Sequence, residues 1–404
     1  MLSMTRVESR RAITLLLMVA LVFGIGAFLC LPAHAQSFSV VHSFTGGDDG
    51  GNPLNGLVAD SGTLYGTTSA GGASGAGVVY QINPTTGEQS VVYTFRGGAD
   101  GASPESALIV YSGNLYGTTA AGGVHGSGTV FEVTPAGKET VLYSFTGKED
   151  GSGPKATLTT DSSGNLYGTT FSGGAKDKGT VFELVKPTRV GESWVEQVLH
   201  SFGSGTDGAN PVAGVTFDDA NLYGATSAGG TYTYGTVFEL SPSRSGWTET
   251  ILHEFELQSD GGVPYAGLTA ASSSKLYGAA TDGGQGGASG GGTVFELNKS
   301  SSGWTFAVTK SFAGWGISGT YRNVLLSDAK IYATTHCDGS HNAGTVYELT
   351  PSGDSWDYTA LYTFTGDSDG LFSFSNLVLV DGYLWGTTNL GGSHGAGVVF
   401  KTKP

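Results

Sequence analysis

The sequence predicts an all-β fold: a seven-bladed β-propeller of four-stranded antiparallel blades, its ring closed by the N-terminal strand. Three observations predict it. First, Leu64-Tyr65-Gly66-Thr67-Thr68 recurs in recognisable form from Leu115, Leu166, Leu222, Leu276, Ile331 and Leu384, at intervals of 51, 51, 56, 54, 55 and 53 residues. Periods of this size belong to solenoids, propellers and arrays, whose units bury apolar faces only against their neighbours. Second, each repeat holds four short β-branched and aromatic runs punctuated by Gly, Asn and Asp, the mark of strands and hairpins. Third, the repeats open on a lone fourth strand, Phe38 to Phe44, and close after a third strand, Gly397 to Phe400. The two ends complete one blade and protect an edge that would otherwise stand open. A β-solenoid, the rival architecture, has no need of such a permuted end.

The third repeat shows the elements in order. Ala156 to Asp161 is the first strand, closed by the turn Ser162-Ser163-Gly164-Asn165. Leu166 to Phe171 is the second, followed by a glycine-rich loop from Ser172 to Lys178. Gly179 to Leu184 is the third and Val195 to Phe202 the fourth, with counterparts of the fourth at Val141 to Phe145 and Ile251 to Phe255. Apolar residues fall on both alternating faces, as a sheet sandwiched between two others requires.

Residues 1–35 read as an export signal. Arg6, Arg10 and Arg11 precede an apolar run from Ala12 to Leu31, and Ala33-His34-Ala35 gives a small-x-small site before Gln36. The run exceeds the ~7–15 residues of an ordinary cleaved signal, so a retained membrane anchor is the alternative. The propeller then occupies residues 36–404, and a secreted, periplasmic or cell-surface location is expected. The formal net charge of −15 repels phosphate backbones and anionic head groups, which argues against nucleic-acid and membrane-surface binding. The 68 glycines are spaced regularly, as ordered turns rather than a disordered tract require. With Cys30 in the leader, Cys337 is left without an internal disulfide partner, and packing alone must hold a monomeric ring.

The repeat resembles the GloVer-type (Gloeo/Verruco) tandem repeat found in exported bacterial proteins. Asn165-Leu166-Tyr167-Gly168-Thr169-Thr170, Gly179 to Leu184, and Val141 to Phe145 followed by Asp150-Gly151 carry the resemblance. It spans the whole chain after the leader and implies a β-propeller at or beyond the cell envelope. The family brings no catalytic residues that could be transferred.

Candidate chemistry lies in the loops that lead from a fourth strand to the next first strand, and from second to third strands, all expected on one face. An Asp-Gly step follows the fourth-strand Phe by five residues at Asp49, Asp100, Asp150, Asp207, Asp260 and Asp369. Such a ring of carboxylates could hold Ca²⁺ or sugar hydroxyls. Asx-turn chemistry, with Gly supplying a positive φ, explains the recurrence without a ligand. The recurrent second-strand Tyr reads as core, and Trp194, Trp247, Trp304 and Trp356 read as caps on blade edges. His42, His200 and His253 read as ordinary outer-strand residues.

The sixth repeat breaks the pattern. Its incoming loop loses Asp-Gly and carries Trp315, Tyr321 and Arg322, and its second loop carries His336, Cys337, Asp338 and His341. Trp315, Tyr321, Arg322 and Asp338 form the predicted ligand set. His336, Cys337 and His341 form a candidate Zn²⁺ set, with a thiol partly ionised beside two imidazoles, although the spacing matches no strong metal signature. No cofactor is otherwise expected. No nucleophile elbow, zinc helix or phosphate loop is present. The expected function is non-enzymatic binding or scaffolding, with a protein or polysaccharide held at the loop face. A glycoside hydrolase or polysaccharide lyase acting at that face is the alternative.

Overall fold

The computed structural model describes residues 38–189, 191–203, 206–285, 290–313 and 318–404; the expected export signal, residues 1–35, and Trp315 lie outside them. Seven four-stranded antiparallel sheets form among the described residues, each with its strands in sequence order apart from the closing sheet. The first blade runs Val58–Asp60, Thr63–Thr68, Val78–Ile82 and Gln89–Thr94. The last joins Val378–Val380, Tyr383–Thr388 and Val398–Thr402 to the N-terminal strand Ser39–Ser43, with Ser39 opposite Lys401 and Ser43 opposite Val398. The expected closure is therefore present.

First strands are shorter than expected. In the third blade only Thr159–Thr160 pair, not the whole run from Ala156. The residues before them serve the neighbouring blade instead, since the Thr118 hydroxyl donates to the Ala156 carbonyl at 3.4 Å. The same stitch joins Thr67 to Ser106, Thr169 to Ala213 and Thr334 to Ser375, and Thr387 to Asn55 at 2.7 Å completes the circle. Where Ala225 and Ala279 replace this Thr, first-strand hydroxyls take over, from Thr216 to Leu268 O and from Thr269 to Val324 O.

Every third–fourth strand pair carries a β-bulge. In the second blade Val130 faces Tyr143 while Phe131 faces Val141, leaving Leu142 as the extra residue. Leu142 and Tyr143, adjacent in sequence, consequently pack against the same core cluster, which strict alternation would forbid. The bulge aims the residue two before each fourth-strand Phe at the next loop.

The core consists of seven clusters, each combining side chains of two neighbouring blades. At its centre, the fourth-strand Phe of one blade meets the third-strand aromatic of the next edge-on. Phe145 and Phe182 are 5.1 Å apart at 66°, and Phe44 on Tyr80, at 5.0 Å and 70°, repeats the contact across the closure. The second-strand Gly makes room for this ring. A Cβ on Gly168 would lie 2.6 Å from Phe182 Cζ of its own blade.

Candidate functional site

The Asp of each Asp-Gly loop is held by its own blade. Asp150 accepts hydrogen bonds from the Tyr143 hydroxyl at 3.0 Å, the Thr146 N–H at 2.7 Å, the Lys148 N–H at 3.3 Å and the Thr146 hydroxyl. Burial disfavours its ionised form, but these donors outweigh burial and hold the carboxyl below its ordinary range. The same lock joins Asp100 to Tyr93 and Asp369 to Tyr362, at 2.9 and 2.8 Å. Asp49, Asp207 and Asp260 take His42, His200 and His253 instead, at 3.1, 3.3 and 3.0 Å. Those histidines are partners of the loop rather than ordinary outer-strand residues.

The backbone donor to each Asp is the N–H four residues earlier, not one that follows as in an Asx-turn. The following Gly has a positive φ at Gly50, Gly101, Gly151, Gly261 and Gly370, between +92° and +113°. Gly208 is needed for room instead, because a Cβ there would meet Thr226 Oγ1 at 2.3 Å.

Six residues before each fourth-strand Phe stands a side chain that covers the preceding blade's Asp lock, except in blade six, where that Asp is missing and Tyr358 lies under Lys310 instead. Blades one to four place Gln89, Glu139, Glu196 and Glu249 there; blades five to seven place Phe306, Tyr358 and Phe38. Phe306 stacks on His253 and Phe38 on Tyr362, each with centroids 3.6 Å apart and 5° between planes. Burial, reinforced by Asp100, Asp150 and Asp207 respectively, pushes Glu139, Glu196 and Glu249 up to about 7. Burial pushes His200 down, yet the Asp207 hydrogen bond and the Glu249 and Asp207 charges more than offset it and raise its pKa. His200, Asp207 and Glu249 form the one set of three metal-compatible residues with ligand atoms within 4.8 Å of one another among the described residues. Related Tyr–Asp–Glu contacts at the two preceding blade boundaries mark this set as a variant of the scaffold.

The residues singled out in the sixth repeat do not converge. Trp315 lies outside the described residues. Tyr321 and His336 are buried together, with ring centroids 4.9 Å apart. Phe372 and Phe374 stand 4.5 and 4.4 Å from the His336 ring, and Tyr265 stands 5.2 Å from Tyr321. Burial pushes His336 down to about 4, so it is neutral at physiological pH, and its Nδ1 is buried without a hydrogen-bond partner among the described residues. His341 is exposed and meets the Ser340 hydroxyl at 2.9 Å through Nδ1. Cys337 is half-buried, and burial raises its thiol pKa; the expected partly ionised thiol gives way to a protonated one. The Asp338 charge adds to the burial that raises the Tyr347 and Tyr358 phenols. The predicted metal triad is thus dispersed, and Tyr321 belongs to an aromatic cluster with residues of blades five and seven that sequence reasoning passed over. Phe372 and Phe374 occupy the positions that other blades give to Asn52, Ser103 or Gly153 and to Leu54, Glu105 or Lys155, and that substitution was the legible signal.

Arg322 points not into a loop but into the central channel. It lines a cavity of about 230 Å³ together with Asn55, Tyr265, Asn323, Asn376 and first-strand residues of blades three and four. Its Nη2 donates to the Leu54 carbonyl at 3.0 Å, while its Nε is buried without a partner among the described residues. Enclosure lowers its pKa to about 10, with Glu105 pulling the other way. A second recess, of about 750 Å³, opens on the opposite face between the hairpins of blades five and six. Trp356, Tyr277 and the 2.9 Å Lys275–Glu296 pair line it. Trp356 covers Tyr277 edge-on at 6.0 Å, and Trp304 covers Tyr223 at 5.6 Å, as blade-edge caps.

The description of the Gloeobacter/Verrucomicrobia repeat matches this chain over residues 20–216, 137–322 and 285–404. The chain belongs to that family. No curated protein matches this Gloeobacter/Verrucomicrobia repeat protein. Among solved structures it is similar to an ancestral GH74 enzyme, with 12% identity, a TM-score of 0.56, and 86% of this chain aligned to 47% of that one. A candidate 6-phosphogluconolactonase from Bacteroides fragilis NCTC 9343 aligns at 17% identity and a TM-score of 0.50, over 82% of this chain and 87% of that one. At these identities the Gloeobacter/Verrucomicrobia repeat protein shares a fold with both, and chemistry must be argued from its own side chains.

Proposed function

We propose that this protein is an exported, non-enzymatic binding propeller that holds polysaccharide on the loop face of blades five to seven. One observation carries the reading: Tyr265, Phe372 and Phe374, all partly exposed, gather around the buried Tyr321 and His336. Aromatic faces stack on the apolar side of sugar rings, and a cluster fixed by its own packing loses little entropy on binding. The arrangement of carboxylates supports binding without turnover. Each loop Asp is engaged by neighbouring donors, and the close carboxyl pairs recur at successive blade boundaries instead of facing one cleft. A glycosidase needs two carboxyls flanking one bond.

A panel of soluble polysaccharides and immobilised cell-surface proteins tests the reading, scored for retention and for released oligosaccharides. The expected result is retention of at least one polysaccharide with no release of product. Sugar release would transfer the site to the hydrolase or lyase class, and retention of protein alone would replace the polysaccharide.

A further inference from the structure

At the channel-lining position of Arg322 the other blades carry Asn55, Ser106, Ala156, Ala213, Ala266 and Ser375. Six neutral and mostly small residues are the rule of the repeat, and a guanidinium is its exception. This cation is only partly exposed, yet it forms no ion pair within contact distance among the described residues. Glu105, whose charge favours it, is paired with Lys155 at 3.6 Å. Nη2 reaches one backbone carbonyl, and Nε donates to nothing among the described residues. An enclosed cation without a counter-charge is costly, and an unmade buried hydrogen bond adds to that cost. The remaining walls of the 230 Å³ cavity are neutral, including Ala156, Gly214, Val215 and Phe217.

We propose that the central channel is a binding site for a small hydroxylated monocarboxylic acid of the sugar-acid class, its carboxylate seated on Arg322. The planar fork of a guanidinium matches a carboxylate through parallel N–H···O bonds. A single enclosed cation balances one negative charge, and a dianion such as phosphate would leave the second uncompensated against neutral walls. Asn376, its Oδ1 held by the Gly56 N–H, turns an amide NH₂ toward the same cavity as a donor, and Tyr265 offers a ring at its margin. The net negative charge of the chain does not forbid this, because charges beyond a Debye length of about 10 Å are largely screened. The site goes beyond the polysaccharide reading and stands without it.

Calorimetric titration of the protein with D-galacturonate, D-galactose and inorganic phosphate tests the assignment. Galacturonate should bind at least about tenfold more tightly than galactose, the effect of one charge-assisted forked pair. Arg322→Lys, which keeps the charge and loses the fork, should weaken galacturonate by about tenfold, and Arg322→Gln should remove the preference. Should either variant fail to fold, ¹⁵N spectra of the wild type decide. Its described arginines are only Arg96, Arg189, Arg244 and Arg322, and the Nε–H signal of Arg322 should move with galacturonate but not with galactose. Equal binding of galacturonate and galactose, or an Arg322 signal that ignores both, overturns the proposal. Phosphate binding as tightly as galacturonate overturns the monocarboxylate assignment.

Discussion

Blades one to four and blades five to seven are built on the same repeat but fill its variable positions differently. In the first group the loop Asp is covered by Gln89, Glu139, Glu196 or Glu249, and the loops around it carry mostly Gly, Ala, Ser and Thr. In the second, Phe306, Tyr358 and Phe38 take the covering position, and Tyr265, Tyr321, Phe372 and Phe374 appear where the loops turn into the channel. Blade six also loses its loop Asp and gains Arg322. Where the repeat recurs, each loop Asp accepts from the fourth-strand Tyr or His and from a loop N–H of its own blade, so much of its hydrogen-bonding capacity is used by the repeat itself. Where the repeat departs from itself, aromatic side chains of blades five to seven gather around Tyr321 and His336 while Arg322 turns into the channel.

The strongest challenge to this division is to remove what joins the two groups. Deleting Phe38 to Phe44 takes away the strand that pairs with Val398–Thr402, the Phe38–Tyr362 stack and the Phe44–Tyr80 contact. The outcome expected is an insoluble product or one that melts far below the full chain, because an exposed strand edge templates association. A soluble monomer melting like the full chain would show that the groups do not depend on closure.

Within the regular group, Asp150→Ala breaks a lock of four hydrogen bonds and should cost about 3 kcal/mol in denaturant unfolding, at the upper end for hydrogen bonds to a charged group. Millimolar Ca²⁺ should leave the wild-type melting temperature unchanged. A rise of many degrees would turn the six loop carboxylates from scaffold into ligands.

A smaller effect separates the groups by pH. Folded Glu139, Glu196 and Glu249 hold protons more tightly than the unfolded chain does, with values of about 7 against an ordinary 4.5. Their contribution is complete below the ordinary value and is lost as pH rises through about 7, and the raised His200 acts in the same direction. Asp150, Glu296 and Glu348 are lowered, so their contribution is lost as pH falls below the ordinary carboxylate range. Thermal stability should therefore peak near about pH 4–5, where both sets of contributions are complete. Glu196→Gln should raise the melting temperature at pH 8 and flatten the profile between pH 5 and 8. An unchanged profile would mean that Asp150 and Glu196 do not share the boundary as described.

The fold was legible because the period, the strand composition and the complementary ends are all local properties of the sequence. The bulge was not, since it lies in hydrogen-bond register, and without it the pairing of His42, His200 and His253 with loop carboxylates was hidden. The site was half legible. Loss of Asp-Gly drew attention to blade six, but Tyr321 and His336 find their partners in Tyr265, Phe372 and Phe374, across blade boundaries that sequence neighbours do not reveal. Adjacent residues also diverge, with Tyr321 entering the aromatic cluster and Arg322 the channel. His336, Cys337 and His341, close in sequence, scatter because the loop buries His336, half-buries Cys337 and leaves His341 exposed four residues further on.

Paired substitution at one repeat position tests the central claim most directly. Phe374 in blade seven and Lys155 in blade three occupy the same place in the repeat, the first in the aromatic cluster and the second paired with Glu105. Each is changed to Ser, and affinity for the retained polysaccharide is measured by calorimetry alongside thermal melting. Phe374→Ser should weaken binding by about tenfold or more, in line with about 1–3 kcal/mol for a stacked aromatic, while Lys155→Ser changes it less than twofold. Equal losses at both positions, or a loss only at Lys155, would contradict the assignment of binding to blades five to seven.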